Sequence, residues 1–263
     1  MKTAGAIALI ILTLYLLALL FLYIQQEKFI FYPTILPPDY KFDQFQNFEE
    51  VVFRKTNQKT WHGLHFKVQD PKGCIIYFHG NTGDLTRWGV LAEDFRKLNY
   101  AVIMIDYPGY GKSRGHLSEN QINKFALKVY NWALLKYSAD QIVILGRSLG
   151  TGPATTLSTK VDSKVLILET PFSSIPDMAS KTYKIFPTNY LSRFRFNILK
   201  KIHQTKAPVF VIHGTKDELV PYEMGKSIVE KKGTLITIDG AGHNDFSDYP
   251  AYQVHLALSL IHI

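Results

Sequence analysis

The chain has 263 residues, 46% of them hydrophobic and 20% charged, which are globular values suited to one sizeable α/β domain plus an appendage. Its single cysteine, Cys74, excludes a disulfide framework and a multi-cysteine metal site; in Cys74-Ile75-Ile76-Tyr77-Phe78 it reads as a buried structural thiol. The formal charge of +8 is local, because Met178 to Lys206 holds seven basic residues and no acid; it describes a surface patch, and no nucleic-acid motif accompanies it.

Ala4 to Ile24 is an unbroken apolar run in which only Thr13 and Tyr15 carry a hydroxyl. Its 21 residues span roughly 31 Å as a helix, close to the hydrocarbon thickness of a bilayer. A cleaved signal peptide is the rival reading, but its apolar region is shorter and ends in a small-x-small site. Here the exit reads Leu20-Phe21-Leu22-Tyr23-Ile24, so residues 1–28 are expected to form a retained single-pass anchor. Lys2 lies on one side and Lys28 and Lys41 on the other, which specifies orientation weakly. The expectation is a short cytoplasmic tail and an extracytoplasmic domain. Residues 29–48, with Phe29, Phe31 and Tyr32 before Pro33, read as an interfacial neck.

From residue 49 to 263 the pattern is that of one domain. Val51-Val52-Phe53 and Trp61 to Val68 predict an antiparallel strand pair, and Cys74 to Phe78 a fully buried strand. A helix is predicted over 84–98, a strand over Ala101 to Ile105, and a helix from about Ser118 to Tyr137. Ile122, Phe125, Ala126, Val129 and Ala133 form the apolar face of that last helix. Strands follow at 141–145, 165–168, 209–212 and 234–238, with helices at 221–231 and 250–262. Apolar strands alternating with helices mean a mostly parallel sheet covered on both faces.

The chain is organised around Val143-Ile144-Leu145-Gly146-Arg147-Ser148-Leu149-Gly150, an apolar strand running into Gly-x-Ser-x-Gly with small residues behind. This is the pattern of a nucleophile elbow, in which a strained serine projects between a strand and a helix. A serine hydroxyl is a poor nucleophile near neutral pH and needs a histidine oriented by a carboxylate. Asp217 leaves strand 209–212 in His213-Gly214-Thr215-Lys216-Asp217, and His243 follows the last strand in Gly240-Ala241-Gly242-His243-Asn244-Asp245, so both fall in the required order. Glu169, at the end of strand 165–168, is the alternative acid. Asp106 is expected to fix the Tyr107–Gly111 turn and Asp245 to cap the closing helix, while His79 and His213 are expected to be structural. His62 and His65, three apart on a strand, face opposite sides and cannot share a metal.

Two backbone donors are needed for the oxyanion. The N–H of Leu149, next to the serine, and that of Asn81, in the loop His79-Gly80-Asn81-Thr82-Gly83, are assigned by position. Gly109-Tyr110-Gly111-Lys112-Ser113 ends like a phosphate loop, but Asp106 stands where its first glycine is required. Gly150-Thr151-Gly152 has Thr155 where a dinucleotide fingerprint needs a third glycine. No metal or organic cofactor is implied.

The set His79-Gly80-Asn81, Asp106-Tyr107-Pro108-Gly109-Tyr110-Gly111-Lys112-Ser113, Gly146-Arg147-Ser148-Leu149-Gly150, His213-Gly214-Thr215-Lys216-Asp217 and Gly242-His243-Asn244-Asp245 resembles the α/β-hydrolase superfamily. It looks closest to membrane-anchored abhydrolase-domain serine hydrolases, a subgroup that includes protein depalmitoylases. The resemblance implies an eight-stranded fold and a Ser148–Asp217–His243 triad acting on ester or thioester acyl groups. A spanning helix here replaces the cysteine-rich, lipidated N-terminus of the depalmitoylases. About residues 171–206, rich in aromatic and basic side chains, occupy the usual place of a helical cap. That cap either packs on the domain with its charges solvated, or lies on an anionic membrane surface and admits an acyl chain. The expected partners are a small or lipid-like acyl substrate and the bilayer, for a monomer that binds no nucleic acid. The same triad would also serve a peptidase or acyltransferase, and the scaffold alone a non-catalytic membrane-tethered binding protein.

Overall fold

Runs of β-branched and aliphatic residues that carry no charge or proline leave a chain little choice but a strand buried on both faces. In the computed structural model, which describes residues 2–56 and 59–261, those runs are the centre of the sheet. The strands are β1 (Tyr32–Pro33), β2 (Phe48–Lys55), β3 (Thr60–Phe66), β4 (Gly73–Phe78), β5 (Thr82–Gly83), β6 (Tyr100–Ile105), β7 (Ile142–Arg147), β8 (Val165–Glu169), β9 (Val209–Gly214) and β10 (Thr234–Ile238). Eight of them form one sheet in the order β10-β9-β8-β7-β4-β6-β3-β2, parallel except where β3 pairs with β2 and β6. The helices are α1 (Lys2–Ile30), α2 (Leu85–Trp88), α3 (Ala92–Lys97), α4 (Glu119–Ala133), α5 (Thr151–Ser158), α6 (Ile175–Thr182), α7 (Thr188–Leu191), α8 (Ile198–Lys201), α9 (Tyr222–Val229) and α10 (Pro250–Ile261).

Alternate residues of the central strands feed two cores, one on each face. Ile76, Phe78, Ile144 and Leu166 pack with α4 and α5 on one side; Ile75, Tyr77, Val143 and Val165 pack with α3 and α10 on the other. This is the α/β-hydrolase fold that the resemblance implies. β4 is the switch point, because the chain leaves it toward β6 on one side and returns to β7 on the other. Open parallel sheets form a crevice at the carboxyl ends of the strands there, and the loops after β4 and β7 meet in it.

Three expectations are corrected. The helix expected over 84–98 is two short helices joined by a 3₁₀ turn at Gly89–Leu91. A methyl group at Gly89 would lie 2.5 Å from the ring of Phe45, so close packing pins the backbone where a glycine already makes helix costly. Asp245 does not cap the closing helix, which starts at Pro250; its carboxylate accepts the N–H of Gly242 at 2.7 Å and shapes the His243 loop instead. The segment 29–48, read as a neck at the membrane interface, is woven into the domain. β1 pairs in parallel with β5, and Phe31, Leu36 and Phe42 are buried.

The cap expected near 171–206 comprises α6, α7, α8 and the turns between them. Ser174 starts α6 by accepting the N–H of Asp177 at 3.1 Å, and Asn197 starts α8 by accepting that of Lys200 at 3.0 Å. Behind the elbow, the first turn of α5 runs so close to β4 that a methyl at Gly150 would collide with the carbonyl of Phe78. Gly150→Ala is therefore expected to cost at least about 1–3 kcal/mol. Thermal unfolding in detergent, compared with wild type, measures it.

Candidate active site

β7 is buried throughout and ends at Arg147 in extended backbone, after which Ser148 turns left-handed at φ 51°. For a residue with a side chain this conformation is strained by about 1 kcal/mol or more, and it persists because β4 and α5 hold both flanks. The turn lifts the half-buried Ser148 to the carboxyl edge of the sheet.

Two other loops converge on it. The loop after β9 is tied to the exit of β10, since Thr215 N–H donates to Ile238 O at 3.2 Å and Lys216 N–H to Ala241 O at 2.9 Å. That stitching sets Asp217 beside His243. The Nδ1–H of His243 donates to Asp217 Oδ2 at 2.8 Å, which leaves Nε2 to accept the Ser148 hydroxyl at 3.0 Å. The structure thus brings together the three side chains that sequence order singled out, from positions 148, 217 and 243.

Asp217 is held harder than a three-residue reading implies. Its Oδ1 accepts the N–H groups of Leu219 and Val220 at 2.9 and 2.7 Å. Its Oδ2 also meets His213 Nε2 at 3.1 Å, whose proton is shared with Val220 O at 2.9 Å. Burial opposes ionisation, but the hydrogen bonds from His213 and His243, with that of Val220, outweigh it and hold the carboxyl well below the usual carboxylate range. His213 is structural, as expected, yet it touches the acid; its four-residue spacing from Asp217 on a strand exit was the available signal. Arg147 and Glu218, which sequence reasoning passed over, brace the His243 loop. Glu218 Oε2 accepts the His243 N–H at 3.3 Å, and the Arg147 guanidinium reaches the carbonyls of His243 and Asn244 at 3.4 Å.

Glu169 is placed differently. Its carboxyl accepts the hydroxyl of Tyr252 at 2.6 Å, and burial raises its pKa against the pull of Arg147. Asp106, directly after β6, accepts the N–H of Leu85 at 3.1 Å and so ties the exit of β6 to the start of α2. His62 and His65 go to separate partners, Glu50 and Glu49.

The loop after β4 faces Ser148 across the switch point. A methyl at Gly80 would lie 3.8 Å from Ser148 Cβ, so the two loops lie side by side. Asn81 is fixed by its other groups, its carbonyl accepting Tyr32 N–H at 2.9 Å and the Tyr110 hydroxyl at 2.7 Å, and its amide donating to Ile30 O at 3.0 Å. Its own N–H has no partner among the described residues. Leu149 N–H begins a 3₁₀ turn, where backbone donors lack an acceptor within the turn. His79 sets the loop's entry: its Nδ1–H donates to Gly80 O at 2.7 Å, and its carbonyl accepts the Tyr107 hydroxyl at 2.7 Å. A cavity of about 330 Å³ opens over Ser148 and Leu149 and runs outward between the cap and α1, past Met178 and Phe186 on one wall and Leu22 and Gln26 on the other.

Burial in this loop pushes His79 down to about 4. The unfolded chain takes up that proton near the ordinary value of about 6.5. Stability therefore rises with pH between those values and is lost on acidification, by about 3 kcal/mol from this group. His62 and His65, also lowered by burial, act in the same direction. The unfolding midpoint is expected to fall from pH 6.5 to 4, with a shallower slope in His79→Phe; denaturant titrations across that range measure both.

With the geometry in hand, comparison with known proteins gives a consistent picture. A family model of the alpha/beta hydrolase fold matches residues 73–180. Alpha/beta hydrolase domain-containing protein 17C of Mus musculus is 30% identical over 233 residues, covering 81% of this chain and 68% of that one. Lysophosphatidylserine lipase ABHD12 of Danio rerio is 30% identical over 202 residues, covering 68% of this chain and 52% of that one. Among solved structures, the Pyrococcus furiosus esterase Pf2001 superposes with a TM-score of 0.68 at 18% identity, covering 89% of this chain and 98% of that one, and so shares its fold. The chain belongs to the α/β-hydrolase superfamily, in its abhydrolase-domain branch.

Proposed function

We propose that this protein is a membrane-anchored serine hydrolase that cleaves carboxylic ester or thioester bonds of lipid-like acyl substrates through Ser148, His243 and Asp217. The observation that carries the reading is the unbroken relay from Asp217 Oδ2 through His243 to Ser148 Oγ, at 2.8 and 3.0 Å. Ser148 Oγ attacks the acyl carbonyl carbon while His243 Nε2 takes its proton. Asp217, kept ionised, stabilises the imidazolium and holds its tautomer. The N–H groups of Asn81 and Leu149 receive the oxyanion, and no side chain is needed for that task. Collapse expels the alcohol or thiol, which takes the proton from His243 and leaves an acyl ester on Ser148. A water deprotonated by His243 then attacks that ester and frees the carboxylic acid.

The membrane part of the reading rests on α1, whose stretch Thr3–Ile30 is long and apolar enough to span a bilayer. The single-pass anchor over residues 1–28, with the domain on the extracytoplasmic side, is part of the same proposal. Exposed basic residues on the cap, Lys181 and Lys200, suit an anionic lipid surface. A lipid ester is also what the name of the zebrafish relative gives as that protein's substrate.

Ser148→Ala is expected to abolish fluorophosphonate labelling and turnover of p-nitrophenyl esters while leaving the unfolding midpoint near wild type. Asp217→Asn should lower kcat by about 10⁴-fold, because the histidine loses its orienting acceptor. A Ser148→Ala protein that still hydrolyses the esters at the wild-type rate would remove the mechanism.

A further inference from the structure

A helix that only tethers a domain has no reason to present one face to it. On α1, Tyr15, Ala18, Leu19, Leu22, Gln26 and Ile30 are half-buried while Leu16, Leu17, Leu20 and Phe21 are exposed. That three-to-four-residue spacing is the signature of a packed helix face. The contacts run along its second half, from Tyr15 to Ile30. The Tyr15 hydroxyl donates to Ile185 O at 3.1 Å and its ring stacks on Phe186 at 5.7 Å. Gln26 clamps the end of α7, donating to Leu191 O at 2.7 Å and accepting the N–H of Arg193 at 2.8 Å, and Glu27 pairs with the Arg193 guanidinium. Phe29 meets Tyr183 at 6.4 Å.

The packing leaves a gap between α1 and the cap, and that gap is the cavity over Ser148. From α1 it is walled by Leu22, Gln26, Phe29 and Ile30. Several of its polar wall groups are spent within the protein: Gln26 on Leu191 and Arg193, Ser192 on the Thr188 carbonyl at 2.8 Å, and the Asn81 amide on Ile30. Thr182, Tyr183 and Thr188 add hydroxyl groups on the cap side, and most of the remaining lining, with Leu22, Phe29, Ile30, Ile175, Met178 and Phe186, is apolar. From Ile30 to Leu22 the wall runs about 12 Å, the reach of an extended hydrocarbon chain on the order of ten carbons.

The depth of the contacts fixes where that gap opens. Tyr15 lies nine residues before Ile24, the last residue of the apolar run, or about 14 Å along the helix, which is near the middle of a hydrocarbon layer about 30 Å thick. Ile185 and Phe186 touch Tyr15, so the tip of the cap shares that depth. Ile185, 74% exposed, is apolar there; its carbonyl takes the Tyr15 hydroxyl and the Phe186 N–H donates to Tyr183 O at 3.1 Å. Lys184 has the stem length to carry its ammonium toward the headgroups.

We propose that α1 is a wall of the substrate site: the acyl chain of the ester lies between the Leu22–Ile30 stretch of α1 and the cap, and enters from the bilayer's hydrocarbon rather than from water. The inference rests on the serine-hydrolase reading above and adds the substrate class, a single long acyl chain, and its route. The same helix also presets the chemistry, since Ile30 O holds the Asn81 amide and β1, following directly, holds the Asn81 carbonyl.

The test uses the full-length protein in phosphatidylcholine vesicles and a decyl fluorophosphonate with a diazirine at the far end of its chain. Ser148 Oγ bonds to phosphorus, fluoride leaves and His243 takes the proton. Irradiation followed by peptide mapping is expected to find the crosslink on α1 between residues 15 and 26. An adduct on Ser148 whose crosslinks miss α1 overturns the inference while sparing the enzyme reading; no adduct on Ser148 overturns both. Two variants give an independent readout. Leu22→Trp should lower the ratio of kcat/KM for p-nitrophenyl palmitate over acetate at least 10-fold, while Leu20→Trp, about 200° around the helix, should leave that ratio at the wild-type value. Equal ratios in both variants also overturn it.

Discussion

The Asp217 carboxylate is the group on which the site depends. It has no exposed side-chain surface, yet it stays ionised because two backbone N–H groups and two imidazoles converge on its oxygens. An ion so buried is costly unless its lone pairs are filled, and filling them fixes the loop after β9 in one conformation. His243 inherits that rigidity through Nδ1, and Ser148 inherits it through Nε2. The order of the site flows from a charge that the fold cannot leave unpartnered.

Backbone strain supplies the other half. Ser148 is left-handed, and the turn is locked by the approach of α5 to the carbonyl of Phe78. β4 thereby does two jobs: its end carries the loop that presents Asn81, and its last carbonyl leaves no space for a side chain at Gly150. Ser148 and Asn81 are set against each other by one strand contact, the pairing of β4 with β7.

Much of this was legible in the sequence because it lies in short-range pattern. The apolar strands, the Gly-x-Ser-x-Gly turn, and an acid and a histidine each after a late strand need no knowledge of packing. The sequence could not reveal what long-range packing decides. His213 faces Asp217 because the loop after β9 curls back under Val220. Asp245 turns to Gly242 rather than to α10, which starts at Pro250. Helix 84–98 breaks because Phe45, some forty residues earlier, presses on Gly89. Residues 29–48 read as a membrane neck from their aromatic content; Phe29 and Tyr32 are exposed, but Phe31 packs on Phe194 and Phe42 stacks on His62 in the domain core. Likewise the apolar run of α1 looks uniform in sequence, and only the docked cap distinguishes its inner face.

The central claim is that an acyl group passes through a covalent bond to Ser148. Mixing the protein with a long-chain p-nitrophenyl ester, quenching in acid within the first turnover and mapping peptides by mass spectrometry tests it most directly. The account predicts a near-stoichiometric burst of nitrophenol and the acyl mass on the peptide that carries residue 148. Steady turnover with no burst and the acyl mass on another residue, or on none, would contradict it.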